Sequence, residues 1–234
     1  MHVTKTFLAA LFLLIPLESN AQMANGQQCG NPHDSPGKYG PFDYRAAPPA
    51  QRHLVEDAHF TPYIQDLALN GFTSLKPRVK EEFGSVEQVI GGNFDYTLYA
   101  FPNHPQALYA MGLWQLKSRD KSVQDFQRML TGSNIRPAEC YFLRALLFKP
   151  DDAQVRQVFG IFLHKAKALQ RAEEQYLAAL DLAPDSAEAH YNLGLLYVDM
   201  GKYDQAARES ARAKELGYPL KGLQRKLERL APGE

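Results

Sequence analysis

In the second half of the chain the apolar positions recur every three or four residues. Ala138, Phe142, Ala145 and Phe148 form one such stripe, and Leu169, Ala172, Ala179 and Leu182 form another. A half-buried strand would alternate with a period of two, so this spacing predicts helices. Pro150 and Pro184 follow two of these stripes and stop them, and Gly201 marks a turn between two others. The pattern therefore reads as pairs of helices of about 12 to 14 residues, each pair closed by a breaker. The tail PLKGLQRKLERL predicts one more amphipathic helix, with Leu220, Leu223, Leu227 and Leu230 buried and Lys and Arg facing water.

The pairs repeat. Ala153–Ser186 aligns over Ala187–Leu220 with a period of 34 residues. Gly160 falls on Gly194, Leu163 on Tyr197, Leu169 on Tyr203, Ala172 on Ala206, Ala179 on Ala213 and Leu182 on Leu216. One period before Pro184 lies Pro150, ending a segment whose apolar residues fill the same slots. With Leu193-Gly194, Tyr197, Gly201, Tyr203, Ala206 and Ala213, the pattern resembles the tetratricopeptide repeat family. The match is strongest over 153–220, fainter over 138–150, and reappears at Met111-Gly112.

The resemblance implies an all-α, right-handed solenoid of helical hairpins with about three to four repeats, a C-terminal capping helix over 219–234 and an irregular N-terminal arm. In such a fold Gly194 permits close approach to small residues such as Ala206 on the partner helix, which offsets its low helix propensity. Gly201 supplies positive φ at a helix end. Lys167 stands where the preceding repeat should have that glycine, and a somewhat altered turn is expected there.

The remaining segments are less regular. Repeats are expected over 187–218, over 153–186, and over 105–150 with an insertion at 119–136, which is either a surface loop or a lid over one end of the solenoid. A degenerate first repeat is expected over 61–104, its first helix capped by Thr61 and its second ending at Pro102. Residues 22–60 are rich in Pro and Gly and carry Tyr39, Phe42 and Tyr44. They read as an extended arm anchored on the solenoid by these aromatics, or as a flexible spacer.

Composition narrows the functional classes. Lys plus Arg equals Asp plus Glu at 26 each, so no overall field draws nucleic acid or anionic lipid. The first 21 residues have Lys5, an apolar run from Phe7 to Leu17 and Ser19-Asn20-Ala21, the pattern of a secretory signal cleaved after Ala21. The apolar run is far shorter than the ~20 residues a spanning helix needs. Export to the periplasm or beyond makes a Cys29–Cys140 disulfide the expected use of the two cysteines.

Catalytic patterns do not stand out. The chain lacks a GxSxG elbow, HExxH, a phosphate-binding glycine loop and CxxC. Cys29 with His33 lacks a rigid setting for nucleophilic chemistry, and His33 with Asp34 lacks a third metal ligand. His104 lies in a turn and reads as structural or solvated. No cofactor, metal or catalytic residue is expected.

What the resemblance implies instead is a concave surface lined by first helices, where the family holds peptides. By register, the first unit contributes Tyr109 and Leu113, with Leu116 and Lys117. The second contributes Gln154, Gln157, Ile161, His164 and Lys165. The third contributes Glu188, Tyr191, Leu195, Val198 and Asp199. A subgroup of the family grips a C-terminal carboxylate with Lys, Asn and Arg. The corresponding positions here hold Tyr109, Leu113, Val158, Glu188 and Asn192, and only one matches. The expected partner is a protein or peptide segment more apolar than acidic. The alternative class is an accessory subunit of an envelope enzyme, or such an enzyme itself.

Overall fold

The structure is a computed structural model, and it describes residues 29–33, 39–61, 86–118 and 135–230. The expected signal sequence 1–21, most of the first helix expected after Thr61, the greater part of the 119–136 insertion, and Asp34 lie outside the described residues. Among the described residues there are nine helices and no strand: α1 Pro49–His59, α2 Val86–Ala100, α3 Pro105–Ser118, α4 Ala138–Phe148, α5 Ala153–Lys165, α6 Leu169–Leu182, α7 Ala187–Asp199, α8 Tyr203–Glu215 and α9 Gly222–Leu230. None of them is long and apolar enough to cross a membrane. Helices α5 and α6 form one hairpin and α7 and α8 the next, with α3 packed on α5 ahead of them.

Side chains cap the first helices. Asp152 accepts a hydrogen bond from the Val155 amide at 3.0 Å, and Ser186, one period later, accepts from Ala189 at 3.3 Å. Upstream, His104 Nδ1 accepts from the Ala107 amide at 3.4 Å, ahead of Pro105 in the first turn of α3. Each cap satisfies an amide that has no partner within the helix. At the other end α5, α7 and α8 close alike. The Ala168 amide donates to Leu163 O at 3.0 Å, Lys202 to Tyr197 O at 2.8 Å and Tyr218 to Ala213 O at 2.9 Å.

That shared closure corrects one expectation. Lys167 has φ 65°, close to the 72° of Gly201 and the 80° of Gly217, so the turn is not altered. The hairpin geometry dominates, and the lysine adopts the left-handed conformation in spite of its Cβ.

Packing at the first-helix glycines is also more specific than expected. A Cβ on Gly194 would collide first with Leu223 of α9, and then meet Glu209 Cβ at 3.3 Å; Ala206 contributes only its carbonyl, at 3.5 Å. A Cβ on Gly160 would lie 2.7 Å from the Tyr176 ring of α6. Each glycine thus receives a large side chain from a neighbouring helix. Around them Phe142 stacks on Phe159 at 4.8 Å and on Phe162 at 5.2 Å, and Trp114, Leu193 and Leu196 complete a continuous core.

The cap buries less than its leucine spacing predicts. Leu223 is buried and Leu227 half-buried, whereas Leu220 is 58% and Leu230 46% exposed. The helix starts only at Gly222, so Leu220 precedes it, and α9 has only α7 and α8 to cover it.

The N-terminal segment packs on the solenoid, but it is not extended throughout, because Pro49–His59 is helical. Proline is tolerated in a first helical turn, so the Pro48-Pro49 pair starts this helix rather than preventing it. Ala47, Val55, Ala100 and Phe101 form a small second core, with Phe42, Tyr44 and Tyr96 against it. The Phe42 amide donates to Ala100 O at 2.8 Å and the Tyr44 amide to Asn103 Oδ1 at 3.0 Å. Cys29 is bonded to Cys140 across a separation of 111 residues, and Arg144 donates to Asn31 O at 3.1 Å beside it.

Two stability outcomes follow from these features. Lys167→Gly should raise unfolding stability by about 1 kcal/mol and Gly201→Ala should lower it by about as much, read from urea midpoints at constant m. Cys140→Ser should cost roughly 4 kcal/mol in the same assay, because the bond closes a very long loop.

Candidate binding groove

Helices α3, α5 and α7 stand side by side and leave an open groove of ≈ 610 Å³ between them. Pro105, Gln106 and Tyr109 of α3 form one flank, and Gln154, Gln157, Val158, Ile161 and Lys165 of α5 form the floor. Glu188 and Asn192 of α7 form the other flank, and Tyr44 of the arm completes the wall beside Pro105. One lysine, one glutamate, four carboxamides, two phenols and a strip of Val, Ile and Pro make a nearly neutral, mixed surface.

The structure brings six of the residues expected from the sequence into this groove: Tyr109, Gln154, Gln157, Ile161, Lys165 and Glu188. The other six lie elsewhere. Leu113 and Leu195 are half-buried against the core, and Val198 is buried. Tyr191 packs on Tyr218 with ring centroids 4.5 Å apart, and its hydroxyl abuts Gly222 of the cap. His164 Nε2 lies 3.1 Å from Asp199 Oδ2, and Lys226 of α9 donates to Asp199 Oδ1 at 2.7 Å.

Five lining residues were absent from the expected set. Val158 and Asn192 carried a usable signal, because both occupy positions that the family register counts as ligand-facing. Pro105 and Gln106 precede Tyr109 on the same helix. Tyr44 carried none, since no repeat register extends into the arm.

A buried polar knot fixes Tyr44. Its ring stacks on His104 at 4.0 Å, and its hydroxyl donates to Glu56 Oε1 at 2.8 Å. His104 is fully buried, with Nε2 3.3 Å from the same Glu56 oxygen. Because Nδ1 accepts from Ala107, the proton of the neutral ring sits on Nε2 and faces Glu56. His104 is therefore structural and not solvated. Burial, followed by the bond to Glu56, pushes the Tyr44 phenol up to about 12. The nearby His104 ring, with help from the Tyr44 hydroxyl, holds the Glu56 carboxyl down at about 2. Burial lowers the pKa of His104 itself.

Next to it, Asp152 accepts from Arg45 as well as from Val155, and Asn103 donates to both Asp152 at 3.1 Å and Asp43 at 2.9 Å. Cys29 is committed to its disulfide, so it supplies no nucleophile. Among the described residues no three His, Cys, Asp or Glu side chains gather as a metal-binding group.

These shifts set an acid limb for stability. His104 and His164 have lowered pKa values, so below about pH 6.5 the unfolded chain takes up protons before the folded one and stability falls. Asp199, held at about 2 by the Lys226 hydrogen bond, and Glu56 contribute stability that is present above their ordinary values of 3.8 and 4.5, and it is lost as pH drops toward 2. Urea midpoints should therefore fall in two stages on acidification. His104→Asn, which keeps a capping side chain, should shallow the first stage, and Lys226→Gln should shallow the second.

A family profile described as TPR repeat matches residues 163–201, from the end of α5 through α7. A 66-residue stretch is 36% identical to the peroxisomal targeting signal receptor of Candida albicans, covering 28% of this chain and 11% of the receptor's length. Solved structures of MamA are also similar. One, MamA 41-end from Desulfovibrio magneticus RS-1, is 18% identical with TM-score 0.39 and covers 92% of this chain and 97% of its own. Another MamA crystal structure is 15% identical with TM-score 0.40, covering 73% and 95% respectively. The side-chain caps and repeated helix closures thus belong to helical hairpins of which the segment 163–201 matches the tetratricopeptide repeat profile.

Proposed function

We propose that this chain is an exported, non-catalytic interaction module that holds a segment of a partner polypeptide in the groove between α3, α5 and α7. The observation that carries the reading is the groove itself: three successive first helices leave an open channel on the face the family uses, lined by six of the residues expected from register. Its chemistry suits a peptide. Gln106, Gln154, Gln157 and Asn192 can donate to and accept from a main chain, while Val158 and Ile161 offer apolar contact between them. With a single Lys and a single Glu, it favours a near-neutral segment over a strongly charged one.

Two facts support the exported setting. The N-terminal residues have the composition of a cleaved secretory signal, and the buried Cys29–Cys140 bond is of a kind that persists in oxidising compartments. The Candida relative is named as a receptor for a targeting signal, which accords with a binding role.

The test is selection from a displayed library of random 12-residue peptides on the disulfide-bonded chain, with Ile161→Asp as the counter-selected variant. The expected result is a set of peptides that bind the native chain and lose at least tenfold in affinity to Ile161→Asp, measured by fluorescence anisotropy. No enrichment, or equal binding to both forms, overturns the groove reading.

A further inference from the structure

A second, smaller cavity of ≈ 160 Å³ adjoins the groove, lined by Arg45, Ala153, Gln154, Gln157, Ala179, Ala183 and Ser186. Gln154 and Gln157 line both spaces and form the partition between them. The arm borders both as well, through consecutive residues: Tyr44 walls the groove and Arg45 the smaller pocket.

The partition is held in place. Arg45 Nη2 donates to Gln154 Oε1 at 3.2 Å while also binding Asp152. The Ser186 hydroxyl donates to Gln157 Oε1 at 3.3 Å, and Gln157 is only 6% exposed. Besides Arg45 and the two glutamines the lining is Ala153, Ala179, Ala183 and Ser186, so the space is set largely by missing side-chain volume, and a cavity of about 150 Å³ accommodates a benzene-sized group. Among the described lining residues Arg45 is the one charged group, and it is already paired with the buried carboxylate of Asp152. A charged group entering here would lose hydration without gaining an uncommitted counter-charge, whereas an aliphatic group loses nothing.

We infer that the arm is part of the ligand site: Tyr44 and Arg45 complete two adjoining subsites, and the smaller takes one aliphatic side chain of the segment bound in the groove. This inference rests on the groove reading above and adds its side-chain specificity. The bound chain runs along the carboxamides with one residue turned past Gln154 and Gln157 into the alanine pocket. Selectivity then comes from a contact that the repeats alone do not supply, because Arg45 roofs the pocket and anchors its partition.

The test uses the 12-residue peptides selected on the native chain. They should share an aliphatic residue at one position, and replacing it with Ala should weaken binding at least tenfold. Ala183→Phe and Ala153→Leu fill the pocket from different helix ends, and each should weaken the selected peptides at least tenfold while a thermal melt shows an intact fold. Against Ala183→Phe, the Ala-substituted peptide should lose little more, because the two changes remove the same contact. Arg45→Gln should weaken binding as well and widen the residues accepted at that position on reselection. Should Ile161→Asp abolish binding while both filled variants bind within twofold of the native chain, the pocket assignment falls and the groove reading stands. Failure to enrich any peptide overturns both.

Discussion

The spacing between helices in this protein is set where a large side chain lies on a glycine. Tyr176 lies on Gly160 and Leu223 on Gly194, and a Cβ on Gly112 would come within 2.9 Å of the Phe162 ring. Each of these glycines costs its helix up to about 1 kcal/mol in propensity, less than burying a ring or a leucine contributes. Because each contact joins neighbouring helices, it fixes the distance of one helical layer from the next. The groove is what remains open on the inner side once that distance is set, so its width is a consequence of the glycine contacts rather than of the residues that line it.

The same dependence reaches the N-terminal end through polar groups. Asp152 is the side-chain cap of α5, yet it also receives Arg45 from the arm and Asn103 from the turn before α3. Buried almost completely, it needs all three partners to offset the loss of water. One carboxylate therefore ties three chain segments together, and the neighbouring Tyr44–His104–Glu56 knot does the same for the arm, α1 and α3. The disulfide restrains the arm further upstream, so two polar centres and a covalent bond join the small second core in holding it in register.

These two kinds of contact explain what was legible in the sequence. The hairpins from Ala153 onward were readable because glycine, alanine and aromatic positions recur with a fixed period, and periodicity is local information. The caps at Asp152 and Ser186 are one period apart and share that property. The turn at Lys167 misled because its residue type contradicts its conformation, and the neighbouring helices override a penalty of about 1 kcal/mol. The α1 helix was missed because Pro and Gly around it read as breakers, and Val55 is its single buried residue. In the groove, Tyr109, Ile161 and Glu188 followed from register, but Tyr44 arrives from far away in sequence through contacts no local pattern encodes. Tyr191 and Asp199 are engaged within the protein, by Tyr218 and by Lys226 of α9, contacts that a repeat register does not encode.

On the proposed groove reading, that end of the solenoid also bounds the size of a bound segment. Leu223 on Gly194 and Lys226 on Asp199 seat the cap across the last hairpin, and the arm closes the opposite end at Tyr44. Between these limits, among the described residues, α3, α5 and α7 present the inner face. Packed helices lie about 8–10 Å apart, so three of them span roughly 20 Å. An extended chain advances about 3.3–3.6 Å per residue, which allows about six residues in the channel. A segment of that length offers few side chains for recognition, and four carboxamides facing its main chain would bind many sequences alike. On that reading discrimination falls to places where a single side chain can be tested, and the recess lined by Arg45 and three alanines has room for one.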